Sequence, residues 1–122
     1  MNKLALVVDD NPPIRKMVAT AFSAYGFCAC VEAENGQQAI ELAQKLDPDL
    51  ISIITLDLSM PVMDGLTAAP MLRKLLPKSS IVLFTLYADD ISPTEASKLG
   101  IDRVLSKIGP LTDLLDTAML DM

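Results

Sequence analysis

Strand-length apolar runs alternate with helix-period segments along the chain, and that alternation admits little besides a mostly parallel sheet with helical crossovers. The runs are Leu4 to Val8, Phe27 to Ala33, Leu50 to Leu56, Ser80 to Thr85 and Ile101 to Leu105. The third is almost continuously apolar, as a strand covered on both faces should be, although Ser52 and Thr55 interrupt it. The first helix is expected to start near Pro12 or Pro13, where a missing N–H costs nothing. Ile14, Met17, Val18, Ala21 and Phe22 form its apolar stripe before Gly26 stops it. Asn35-Gly36 turns into a second helix with Ala39 or Ile40, Ala43 and Leu46 inward, and Pro48 ends that region. A loop from Leu58 to Gly65 precedes a third helix through about Leu76, where Pro70 is expected to impose a kink or shift. Ser92-Pro93-Thr94-Glu95 is a capping box with proline at the first helical position, and Gly100 marks the end of that fourth helix. Leu111, Leu114, Leu115 and Ala118 stripe the last one. The reading is a doubly wound α/β domain of five parallel strands and five helices.

A chain of 122 residues supports one core, so a single domain over residues 1–122 is expected, with no separate effector domain. Apolar residues make up 51% and charged residues 21%, the balance of a globular protein. The net charge of -6 argues against nucleic acid or an anionic membrane as partner, because either would need a basic face. The N-terminal apolar stretch is five residues long and runs straight into two aspartates, too short for a signal peptide or a spanning helix. A cytoplasmic location is expected. Cys28 and Cys30 read as buried, reduced thiols, and with no histidine in the chain they cannot complete a metal set.

The chemistry sits where the runs end. The first runs into Asp9-Asp10, the third into Asp57, the fourth ends in Thr85 and the fifth leads to Lys107. In a doubly wound sheet ligands bind outside the carboxyl ends of the strands, and with strand one central the ends of strands one and three adjoin. Three carboxylates held together repel and raise one another's pKa, unless a small hard cation sits between them. Magnesium fits best, since it takes few carboxylates, keeps waters and accepts phosphate oxygens. The lack of histidine and spare thiols disfavours zinc and copper. Asp57 is the best-placed nucleophile toward phosphorus, with Lys107 as a mobile charge and Thr85 as a hydrogen-bond donor to the phosphoryl oxygens. Taken one at a time, each of these residues reads as readily as a polar cap on a strand end.

Together, Val7-Val8-Asp9-Asp10-Asn11, then Leu56-Asp57-Leu58-Ser59-Met60-Pro61-Val62-Met63-Asp64-Gly65, then Thr85, then Gly100 to Lys107, resemble the response-regulator receiver domain over essentially the whole chain. The second string is the specific one. The resemblance implies a flavodoxin-like strand order 2-1-3-4-5 and a phosphoacceptor module of a two-component system. Asp57 would accept phosphate from a histidine kinase or histidine phosphotransfer protein. Asp10, Asp57 and the backbone carbonyl of Ser59 would ligate magnesium, with Asp9 acting through a metal-bound water, while Thr85 and Lys107 would contact the phosphoryl group. Output would pass to a protein target through the region Ser92 to Leu120.

The sequence departs from the family pattern at several places. Leu86 stands where a small residue usually follows the threonine, narrowing access to the pocket, and Tyr87 after it is expected to shield the phosphoryl group. Val104 replaces the aromatic ring that couples to the threonine in many receivers. Ile108 replaces the usual proline after the lysine, and the stretch from Pro48 to Asp57 is longer than the common pattern. An alternative reading is therefore a phosphorylation-independent, receiver-like binding module. A phosphatase is disfavoured because Ser59 occupies the position of the second carboxylate such enzymes use, and nucleotide binding because no glycine-rich turn follows strand one. The chain is expected not to be an enzyme beyond catalysing its own modification.

Overall fold

The computed structural model describes residues 3–120, with side chains through Ala118; the expected span of 1–122 extends past them at both ends. The sheet has five parallel strands in the order β2-β1-β3-β4-β5: β1 Leu4–Val8, β2 Ala29–Ala33, β3 Ile51–Leu56, β4 Ser80–Thr85 and β5 Arg103–Ser106. The crossover helices are α1 Pro12–Ala24, α2 Gly36–Lys45, α3 Gly65–Leu75, α4 Pro93–Lys98 and α5 Leu111–Leu120. Fold class and strand order are those expected from the sequence.

Alternation along the strands divides the core between two faces. Ala5 and Val7 join Val18 and Phe22 of α1 and Leu114 of α5, whereas Leu6 and Val8 join Ala39, Leu72 and Ala96 from α2, α3 and α4. Helix starts follow their caps. Asn11 accepts the N–H of Ile14 at 3.1 Å, Asn35 that of Gln38 at 2.8 Å, and Ser92 that of Glu95 at 3.1 Å. Gly26 and Gly100 adopt φ of 98° and 84°, the left-handed backbone that ends α1 and α4.

Several expectations change. β3 carries a bulge near its start, within the stretch expected to be longer than the family pattern: Leu4 pairs with Ile51 and Ala5 with Ile53, so Ser52 has no partner in the register with β1. Pro70 lies inside α3, which continues unbroken to Leu75. The thiols are not both buried. Cys28, just before β2, is exposed and Cys30 is half-buried, because β2 is an edge strand with one hydrogen-bonded neighbour. Both are free, and Cys30 Sγ lies 3.6 Å from the Ala19 carbonyl.

Candidate functional site

Val8 of β1 and Leu56 of β3 are register partners, so Asp9 and Asp57 are the next residues of two adjacent strands. Backbone pairing holds both in place: Asp57 N–H donates to the Val8 carbonyl at 3.0 Å and Asp9 N–H to that of Ala33 at 3.0 Å. Oxygens from Asp9, Asp10 and Asp57 lie within 4.8 Å of one another. Asp9 and Asp57 are buried while Asp10 faces solvent. Across the sheet Lys107 N–H donates to the Thr85 carbonyl at 3.0 Å, aligning the end of β5 with that of β4. The Lys107 ammonium then reaches back to Asp9 Oδ2 at 2.5 Å and Asp57 Oδ2 at 3.3 Å.

These residues line a cavity of about 220 Å³ together with Ser59, Leu86 and Tyr87. Leu86 and Tyr87 are both more than half exposed, so they form its outer wall and do not plug it. Thr85 is fully buried and outside that lining. Its hydroxyl oxygen accepts the Tyr87 N–H at 3.1 Å, which leaves the hydroxyl proton to be donated elsewhere. Val104 is half-buried against the α2, α3 and α4 side of the core. Ile108 is 83% exposed on a turn in which its N–H donates to Ser106 Oγ at 3.1 Å.

Burial, and after it the Asp9 carboxylate, push the Asp57 pKa above the ordinary carboxylate value; Lys107 pulls it back and Asp10 adds a smaller upward push. One ammonium among three carboxylates leaves the cluster short of positive charge. Its donor set is all oxygen, while Cys30 lies on β2 and Cys28 just before it, its N–H bonded to the Lys3 carbonyl at the opposite, amino-terminal end of the sheet. That set suits magnesium, which keeps waters and takes one or two carboxylates. Asp9, Asp10 and Asp57 would hold it, with Ser59 on the same cavity wall.

The loop after Asp57 is shaped by its own residues. Asp64 caps α3 by accepting the Thr67 N–H at 2.8 Å, and Gly65 N–H donates to Leu58 at 3.0 Å. A Cβ on Gly65 would overlap the Asp57 carbonyl oxygen, so only glycine lets the helix start this close to the carboxylate. Met63 N–H closes on Pro61 at 2.7 Å across Val62, whose φ is 68°. A β-branched residue in a left-handed three-residue turn is strained. Gly65 reads in the sequence as a loop breaker, and its close approach to Asp57 becomes visible only in three dimensions. Arg15, absent from the sequence-based site, donates to the Asp9 carbonyl at 2.7 Å.

Comparison with known proteins agrees with this geometry. The profile of the response regulator receiver domain family matches residues 5–119. The chain is 39% identical over 115 residues to the protein-glutamate methylesterase/protein-glutamine glutaminase of Archaeoglobus fulgidus, covering 93% of this chain and 32% of that protein. It thus spans about a third of that relative's length. It is 33% identical over 100 residues to the chemotaxis protein CheY of Thermotoga maritima, covering 82% of this chain and 81% of that one. Among solved structures, the response regulator TrrA of Thermotoga maritima, in complex with Mg(2+)-BeF, superposes with a TM-score of 0.85 at 27% identity, over 98% of this chain and 99% of that one. Fold, site and relatives agree that the chain belongs to the response regulator receiver domain family.

Proposed function

We propose that Asp57 is the phosphoacceptor of this receiver domain and that Asp9, Asp10 and Asp57, with the Ser59 carbonyl, hold the magnesium ion that the phosphotransfer requires. The observation that carries the proposal is the meeting of three carboxylates and one lysine at the ends of β1, β3 and β5. Receiver domains are signalling modules of two-component systems, phosphorylated by histidine kinases or phosphotransfer proteins. A carboxylate oxygen of Asp57 attacks phosphorus as the bond to the donor nitrogen breaks. Lys107 is within reach of the oxygens of the new acyl phosphate, and Thr85 has a hydroxyl proton to donate. Bound magnesium supplies the charge neutralisation that lets two anions approach. Strand pairing fixes Asp57 before the donor arrives, so little ordering remains to be done during transfer.

Output through Ser92 to Leu120 belongs to the same proposal, as does residence in the cytoplasm beside the phosphodonor. A cleft of about 590 Å³ between α4 and β5, walled by Ile91, Ala96, Ile101 and Val104, gives that face its relief. The test is to incubate the protein and an Asp57→Asn variant with magnesium and a small phosphodonor, then weigh both intact. A phosphate adduct on the parent alone is the expected result. No adduct on either, from a small donor or from a phosphohistidine protein, replaces the proposal with a binding module that works without phosphorylation.

A further inference from the structure

Arg15 sits in the first turns of α1, its side chain 12% exposed, and makes two contacts that tie three segments together. One guanidinium nitrogen donates to the backbone carbonyl of Asp9 at 2.7 Å, and Nε donates to the Glu32 carboxylate on β2 at 3.2 Å. The turn between β1 and α1 is held from its other side by the Asn11 N–H, which donates to Asp9 Oδ1 at 2.9 Å. Lys107 occupies Asp9 Oδ2. Both carboxylate oxygens and the carbonyl of Asp9 are therefore engaged, each by a different group.

The placement of charge is the informative part. A guanidinium is a strong partner for carboxylates and prefers a forked, bidentate grip on one. Next to an acidic cluster, a free arginine would compete with any cation for Asp9 and Asp10. Glu32 removes that freedom: it takes up the charge of Arg15 on the β2 side and leaves a nitrogen aimed at the main chain of Asp9, not its side chain. Val7 and Glu32 are register partners in the sheet, so the position of Glu32 is fixed by β-pairing.

We propose that Arg15 is a positioning residue for the metal-binding carboxylates, and that Glu32 is the tether keeping its guanidinium on the Asp9 carbonyl and off the Asp9 and Asp10 side chains. The proposal rests on the reading that these aspartates bind magnesium. Groups that support a metal's ligands from outside typically cost about 10–100-fold in affinity when removed. Arg15 supports a ligand's backbone, so a loss of roughly tenfold, at the lower end of that range, is expected for Arg15→Ala. Glu32→Ala weakens binding as well, by freeing the guanidinium.

The experiment is magnesium titration by calorimetry on the parent, Arg15→Ala, Arg15→Lys, Glu32→Ala, Glu32→Gln, the Arg15→Ala/Glu32→Ala double variant and Asp10→Ala, each with its melting temperature. Expected are weakened binding in both single alanine variants, part recovery with lysine, and an effect of Glu32→Ala that shrinks below about twofold once Arg15 is gone. A role confined to stapling α1 onto β2 would lower melting temperatures and leave magnesium affinity alone, and that result overturns the proposal. So does an equal effect of Glu32→Ala with and without Arg15. If an alanine variant fails to fold, Arg15→Lys and Glu32→Gln decide, and parental affinity in both overturns the proposal. No magnesium binding by the parent overturns the metal-site reading and this proposal with it. Binding lost in Asp10→Ala but unchanged in the Arg15 and Glu32 variants overturns this proposal alone.

Discussion

The Lys107 ammonium lies closer to Asp9, at 2.5 Å, than to the neighbouring Asp57, at 3.3 Å. Both contacts are nearly dry, with the lysine side chain 10% exposed, so the ammonium acts as a resident counter-ion for the acidic cluster. A second cation entering between the carboxylates meets that charge and is repelled by it.

Lys107→Ala should therefore bind magnesium more tightly than the parent while accepting phosphate more slowly. The gain expected is roughly fivefold, about 1 kcal/mol, the order of one charge pair in a partly screened site. Calorimetric titration reads the first effect and intact-mass kinetics the second. Weaker magnesium binding in the variant would rule out the counter-ion role.

Asp57 makes the magnesium-free protein depend on pH in a definite direction. Its folded pKa is raised above the ordinary 3.8, first by burial and next by Asp9, so the folded protein holds that proton more tightly than the unfolded chain does. The contribution of this group is most favourable below 3.8 and is lost as pH rises through the folded pKa. Asp57→Asn removes the cost of the ionised form and should stabilise the chelator-treated protein at neutral pH. The advantage should narrow on acidification. Urea denaturation at several pH values checks it, and a constant difference would show that the charge of Asp57 is not its source.

Magnesium should stabilise the parent by mass action, about 1.4 kcal/mol at ten times its dissociation constant. Asp10→Ala should lose most of that increment. Melting curves with and without magnesium measure it, and an equal increment in both proteins would place the ion elsewhere.

What the sequence made legible is what residue type and run length encode. β1 and β4 have the bounds expected from their apolar runs, and the carboxylates, threonine and lysine stand at strand ends as the polar residues that close those runs. The edge strands were harder to bound. β2 starts at Ala29, not Phe27, and β5 runs Arg103–Ser106, not Ile101 to Leu105: Phe27 and Ile101 are buried ahead of the first paired residues, and a buried apolar residue reads the same whether or not its backbone joins the sheet. The Ser52 bulge could not be read from composition, because an apolar run looks the same with or without an extra residue. Arg15 escaped notice for a different reason: its partner near the site is a main-chain carbonyl, which every residue has.

Tyr87, a half-exposed residue, stands on the cavity wall with its N–H committed to the Thr85 hydroxyl oxygen. A ring there would limit the approach of water to the acyl phosphate proposed on Asp57. Tyr87→Ala should shorten the phosphate lifetime on the order of threefold, by admitting the water that the ring excludes. Lifetimes come from intact mass after the donor is removed, and an unchanged value would dispose of the shielding role.

Arg73 offers a contrast at the opposite end of the sheet. Its guanidinium donates to the Gly100 carbonyl at 2.9 and 3.1 Å, to Ser79 at 2.7 Å, and to Asp102 Oδ2 at 2.6 Å. Asp102 in turn accepts the Ile81 N–H at 2.7 Å. One side chain thus joins the end of α3, the start of β4 and the turn before β5. Arg73→Ala leaves several half-buried acceptors without a donor, so a loss of about 2–3 kcal/mol is expected by urea denaturation with an unchanged slope. Lysine should recover less than half, as a single ammonium cannot reproduce the planar fork. Because these contacts lie at the amino-terminal ends of β4 and β5, magnesium affinity should stay at the parental value. A loss below about 0.5 kcal/mol would mean that water replaces the fork at little cost. A fall in magnesium affinity would mean instead that the two ends of the sheet are coupled.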